Sequence, residues 1–149
     1  MKFSKMHHNG NDFMVVENIN KQIKFNNSLI KKLANRNTGI GFDQLLILGK
    51  PKTKKADFNY KIFNSDGSEA SQCGNGALCF AQYILENDLF DGNKLTLETI
   101  SGFYEVIKIN KKKYKVSMGE PNILNKYKNL NYEKPINKFS VILDGSKVF

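Results

Sequence analysis

The chain holds two cysteines, and one of them, Cys73, stands directly before Gly74-Asn75-Gly76 and a stretch that reads as a helix. The first backbone N–H groups of a helix have no internal partner and point outward along the axis. A thiolate at that place is stabilised by those donors and by the positive end of the macrodipole, which is expected to lower its pKa. Gly74 and Gly76 remove side-chain bulk, so a small ligand can approach the backbone, and the same donors suit a carboxylate. The alternative for C-G-N-G is a tight turn with a buried cysteine.

Three further polar clusters are candidates for the same chemistry. Asn9-Gly10-Asn11-Asp12 lies between two apolar segments, Asp43-Gln44 follows Gly39-Ile40-Gly41, and Asn64-Ser65-Asp66-Gly67 ends another. Carboxamides bind ammonium and carboxylate groups without titrating, which suits an amino-acid ligand. Taken singly, each cluster also fits loop capping by Asn and Asp.

The elements that must position these residues follow from periodicity. Lys2–Met6 and Phe13–Val16 read as short strands joined by a polar loop, His7–Asp12. Ser28 suits the N-cap of a helix over Leu29–Asn37, with Gly39 beyond its end. Phe42–Leu48 reads as a buried strand, and Phe58–Asn64 alternates apolar and polar residues as a half-buried one should. Asn75–Asn87 carries Ala77, Phe80, Ala81, Ile84 and Leu85 at helical spacing. Leu95–Ile100, Phe103–Ile109 and Tyr114–Met118 form a meander with turns at Ser101-Gly102 and Asn110–Lys112. The pattern is α+β, with about seven strands around one prominent helix and a second helix outside, more barrel-like than doubly wound.

After Gly119-Glu120-Pro121 the text becomes rich in Asn, Lys and Tyr over residues 122–138, which reads as a linker or peripheral loop. Phe139–Leu143 is strand-like again, and Asp144-Gly145 is a hairpin signal followed by four residues. A return strand that has barely begun leaves an unpaired edge, so the chain is expected to end as if interrupted. The expected organisation is therefore one domain over residues 1–118, and a linker with the start of an incomplete second domain over 119–149.

At 149 residues, with 40% apolar residues, the chain is long enough to bury a core. It lacks any apolar run of membrane-spanning length and its N-terminus lacks a secretory pattern, so a cytoplasmic protein with reduced thiols is expected. The net charge of +9 raises a nucleic-acid reading. Against it, Arg36 is the single arginine, and arginine is the preferred bidentate reader of phosphates and bases. The lysines are scattered, as on a solvated surface. His7, His8, Cys73 and Cys79 are the whole His and Cys inventory, sufficient in number for zinc, but without the close paired spacing of zinc domains.

With all four clusters in view, the chain resembles the N-terminal half of the diaminopimelate epimerase family. The resemblance rests on FSKMHHNGNDFMVVE near the start, NTGIGFDQLL, FNSDGSEASQCGNGALCFA, and VSMGEPN at 116–122. It implies a barrel-like, mostly antiparallel β-sheet wrapped around a central helix. It also implies a pyridoxal-independent isomerase that interconverts LL- and meso-diaminopimelate, for lysine and peptidoglycan precursors, by thiol/thiolate proton transfer. Carried over by motif, Cys73 is the acid/base, Gly74 and Asn75 hold the substrate α-carboxylate, and Asn11, Gln44 and Asn64 are further substrate-binding amides. No metal or cofactor is implied, and neither a nucleic acid nor a membrane partner.

Two positions depart from the family pattern. His8 stands where the opening motif usually has glycine, and Leu78 stands where C-G-N-G-A-R-C has arginine. The larger departure is length, because the family's second domain carries the second catalytic cysteine. Cys79 cannot replace it: six residues along one helix put it about 120° around the axis and about 9 Å along it from Cys73. A homodimer or a complementing second-domain chain would have to supply that group. Three alternatives stay open: an inactive remnant, a non-catalytic binding or interaction domain of this fold, and another isomerase of the superfamily, of the proline racemase or phenazine-biosynthesis kind.

Overall fold

A computed structural model describes residues 1–110 and 113–118, together with the backbone of residues 141–143 and 146–148. The chain divides into two compact units, Met1–Met118 and Gly119–Phe149. In the second, β9 (Val141–Leu143) pairs antiparallel with β10 (Ser146–Val148). The expected linker over 122–138, residues 139 and 140 of the expected strand, the Asp144-Gly145 turn, and Lys111 and Lys112 of the expected Asn110–Lys112 turn lie outside the described residues.

The first unit begins with a hairpin of β1 (Ser4–His8) and β2 (Asn11–Glu17). The polar loop expected over His7–Asp12 is instead a two-residue turn, Asn9-Gly10, with φ of 48° and 85°. Both are left-handed, the conformation that matches the twist of paired strands and that Asn-Gly adopts at low cost. The strands consequently run two residues further toward each other, and Asn11 opens β2 opposite His8.

Helix α1 spans Asn27–Ala34, not 29–37. Asn26, in an extended conformation, is the N-cap in place of Ser28, its Oδ1 accepting from Leu29 N at 2.8 Å. At the other end Asn35 Oδ1 accepts from Asn37 N and Thr38 N, which bends the chain away before a further turn forms. Strand β3 (Gln44–Gly49) follows, then β4 (Phe58–Asn64) and a two-residue strand, β5 (Glu69–Ala70), that periodicity did not signal. After α2 (Gly74–Glu86) come β6 (Lys94–Thr99), β7 (Gly102–Asn110) and β8 (Lys113–Val116), close to the expected meander.

These strands make one mixed sheet in the order β1-β2-β3-β4-β6-β7-β8, with β5 beside β4. The β2–β3 and β4–β6 pairs are parallel and the others antiparallel. Helix α2 touches β1, β2 and β3 and also β7 and β8, so the sheet curls around it as a half-barrel. This is the expected α+β architecture. Phe13, Val15, Leu46, Leu48, Ile62, Leu97 and Val106 meet Phe80 and Ile84 of α2 in one core. Burial of each large side chain there contributes about 1.5–3 kcal/mol. On the opposite face, Met14, Val16, Leu45 and Ile47 pack with Ile30 and Ala34 of α1. Strands β2 and β3 are covered on both faces, and so read as near-continuous apolar runs.

Candidate active site

The site lies at one end of the curled sheet, where β2 and β3 begin, β4 ends and α2 starts. Cys73 is the N-cap of α2, with φ of −152° and ψ of 108°. Its Sγ accepts from Gly76 N at 3.3 Å, and its carbonyl takes the Ala77 N–H at 2.9 Å. The thiol therefore does what a serine or aspartate does at other helix starts. Gly76 has to be glycine here, since a Cβ would run into the Tyr60 hydroxyl and lie 3.3 Å from Cys73 Sγ. The ring of Tyr60 is buried and packs against Phe80 at 4.4 Å between centroids.

A cavity of about 460 Å³ opens beside the thiol, lined by Asn11, Asp43, Gln44, Asn64, Ser65, Asp66 and Cys73. The four polar clusters, spread over more than sixty residues of sequence, thus converge on one concavity. Gln44 and Asn64 face each other in the β3–β4 register, and Gln44 Nε2 donates to Asn64 Oδ1 at 2.9 Å. Asn64 Nδ2 in turn donates to Ser68 Oγ at 3.0 Å. Asn75 does not line the cavity but is tied to it, its Nδ2 donating to Asn11 Oδ1 at 2.8 Å. Gly74 is also outside the lining, and a Cβ there would meet the Met118 Sδ at 3.1 Å.

The electrostatics correct one expectation. Burial pushes the Cys73 thiol above its ordinary pKa, outweighing the amides of Gly76 and Asn75, which pull it down. Without a ligand, the helix start moderates the thiol but does not ionise it at neutral pH. Cys79, buried in the core of α2, is pushed up to about 11 by burial and then by the charge on Cys73. Among the described residues no group of three or more His, Cys, Asp or Glu side chains could hold a metal ion. His7, His8, Cys73 and Cys79 do not gather into the zinc set their number allowed.

Periodicity did not reveal what holds the site in place. Arg36 donates to both oxygens of Asp12, at 3.0 and 2.7 Å, and to Asp43 Oδ1 at 2.9 Å. Asp12 and Asp43 also exchange backbone contacts: Asp12 N donates to Asp43 Oδ2 at 3.1 Å, and Asp43 N to Asp12 Oδ1 at 2.9 Å. Lys5 joins through Asp12 Oδ2 at 2.5 Å and donates to the Gly41 carbonyl. The Arg36 guanidinium, with Lys5 behind it, holds the Asp12 carboxyl well below the usual carboxylate range. This clamp fixes the first residues of β2 and β3, immediately next to Asn11 and Gln44. One sequence signal was available: the single arginine of a lysine-rich chain.

A profile of the diaminopimelate epimerase family matches residues 3–124. The chain belongs to that family. Solved structures share its fold. A probable proline racemase from Agrobacterium radiobacter K84 superposes with a TM-score of 0.59 at 17% identity, over 78% of this chain and 41% of that one. A methylitaconate-delta-isomerase gives 0.56 at 16% identity, over 81% and 64%. A phenazine biosynthesis protein of the PhzF family from Bacillus anthracis gives 0.55 at 18%, over 76% and 37%. The chain therefore spans between 37% and 64% of the length of these relatives. Membership in the epimerase family is what relates the protein to isomerase-type enzymes, while the solved structures show the shared fold. Among the described residues, no helix is long and apolar enough to cross a membrane.

Proposed function

We propose that this protein carries one acid/base half of a cofactor-independent amino-acid epimerase acting on diaminopimelate, with Cys73 as the proton carrier. The observation that carries the reading is the shared cavity: the Cys73 thiol faces the same concavity as Asn11, Gln44 and Asn64. Its donors and acceptors suit the two charged groups of an amino acid. The amides of Gly74 and Asn75 stand just outside that lining, at the start of α2, and with the helix dipole behind them they favour an α-carboxylate placed at the Cys73 edge of the cavity. The carboxamides and the carboxylates of Asp43 and Asp66 face the α-ammonium.

Removing an α-proton without a pyridoxal ring leaves negative charge that fixed donors must stabilise. The raised pKa of Cys73 fits this task in two ways. At neutral pH the group is a thiol able to donate, and once ionised it is a stronger base than an ordinary thiolate. Inversion also needs a second acid/base on the opposite face of the α-carbon. Cys79 does not serve, because it is buried within the helix core; the group comes from elsewhere, whether a further domain, a second copy or a complementing chain.

The test is incubation of the purified protein with LL-diaminopimelate in deuterated water under reducing conditions, following α-deuterium and meso product. Meso product that disappears with Cys73→Ala supports inversion with a second group from another chain. Exchange without inversion, equally lost with Cys73→Ala, supports a half-site in which Cys73 returns the proton to the face it came from. Neither signal in a folded protein overturns the reading. Proline, the substrate class named for one structural neighbour, is the comparison substrate: exchange with proline alone reassigns the site to a different isomerase.

A further inference from the structure

A second concavity, of about 550 Å³, lies away from Cys73 on the outer face of β3 and β4. Its polar rim carries Lys21, Lys24, Lys50, Lys52 and Lys61, and no Asp or Glu lines it. Among the described residues, ion pairs engage Lys5, Arg36 and Lys94, and none of these five ammonium groups. The floor is apolar: Ile47 and Phe63 project from the sheet, and Ile23 and Phe25 close one side. Gly49 leaves that floor open beside Asn59, its register partner on β4.

The walls are held in place. Asn18 clasps the loop that bears Lys21 and Lys24: its Nδ2 donates to the Ile23 carbonyl at 2.9 Å and its Oδ1 accepts from Ile23 N at 3.1 Å. Lys21 N donates to the Asn18 carbonyl at 3.0 Å, and Lys21 itself sits at φ of 52°, a conformation a lysine adopts only when its surroundings impose it. On the other wall, the Lys52 amide donates to Oε2 of the buried Glu98 at 2.6 Å, which fixes the backbone at Lys52. Five like charges around one cavity repel one another, and each is a compact point charge of the kind that binds phosphate oxygens. An anion placed among them relieves that repulsion.

We propose that this cavity binds a small molecule with at least two negative charges and a flat apolar body, the class to which nucleoside diphosphates belong. The volume is that of a small-ligand site. The charges engage the lysine rim, and the flat body lies against the partly exposed Ile23, Phe25 and Phe63. The cavity shares no residue with the one at Cys73, so occupancy does not depend on the epimerase reading.

Calorimetric titration of the whole protein with ADP at low ionic strength tests this, with adenosine and inorganic pyrophosphate as the two halves of the ligand. Saturable binding of ADP is expected, tighter than either half and weakened by added salt. The Lys24→Gln, Lys61→Gln double variant, checked for folding by circular dichroism, should bind ADP at least about tenfold more weakly. Cys73→Ala should leave the affinity unchanged. No saturable binding up to about 1 mM, equal affinity in the double variant, or pyrophosphate binding as tightly as ADP would each overturn the proposal. So would retention of an oligonucleotide or a polyglutamate peptide by a protein that does not bind ADP, which would mark a macromolecular docking face.

Discussion

Gly76→Ala is a change whose sign the structure reverses. At an ordinary interior helix position, replacing glycine with alanine stabilises by about 1 kcal/mol through backbone entropy and propensity. Gly76 lies in the first turn of α2, and the added methyl would overlap the Tyr60 hydroxyl. Tyr60 cannot swing aside, being 2% exposed with its ring held against Phe80. Overpacking of this kind costs about 1–3 kcal/mol, so after the gain of about 1 kcal/mol the net effect of Gly76→Ala should be a loss of up to about 2 kcal/mol. Tyr60→Phe removes the obstructing oxygen. It forfeits only a long hydrogen bond to the Cys73 carbonyl, 3.5 Å, and that carbonyl keeps the Ala77 N–H. Tyr60→Phe alone should therefore cost less than about 1 kcal/mol, and in the double variant it should return about 1 kcal/mol or more. Urea unfolding of the four proteins in the double-mutant cycle measures this coupling. A stabilising Gly76→Ala, or additive effects of the two changes, would refute the close approach and with it the reason for glycine at this place.

Two further predictions concern titration. The Asp12 carboxyl is held below its unfolded value, so the stability it contributes is present above that value and is lost as pH falls from about 5 toward its lowered folded pKa. Asp12→Asn should flatten the acid limb of the stability profile, measured as the urea midpoint from pH 6 to pH 2, while an unchanged limb would mean that the Arg36 clamp does not couple to folding. Because burial raises the Cys73 pKa, α-deuterium exchange should climb with pH through a midpoint above the ordinary 9.0. A midpoint below that value would mean that substrate or the helix amides outweigh burial.

Local patterns carried much of this protein. The 13-residue α2 was legible because Ala77, Phe80, Ala81 and Ile84 recur at helical spacing, and its start because Cys73 precedes two glycines. β4 was legible over its full span because apolar and polar residues alternate along it. The hairpin turn at Asn9-Gly10 was equally legible in principle, since Asn-Gly is a two-residue turn signal. The candidate site was visible only as four separate polar clusters, and their grouping in the sequence rested on resemblance.

Tertiary structure alone decided what depends on distant partners. The parallel pairing of β2 with β3, with Phe13 opposite Gln44, brings Asn11 and Gln44 to the same end of the sheet, and nothing in either strand's periodicity specifies its neighbour. The Arg36 clamp joins residues 24 positions apart, so no local pattern encodes it. The direction of the Cys73 pKa was likewise a tertiary outcome: the sequence placed the thiol on a helix dipole, but packing set the desolvation that outweighs it. The five lysines of the outer cavity look like ordinary solvated charge along the chain, and only the curl of the sheet and the Asn18 clasp bring them around one apolar floor. Spacing of three to four residues or of two specifies an element and the face it buries. Which faces meet is set by burial and charge summed over the whole fold.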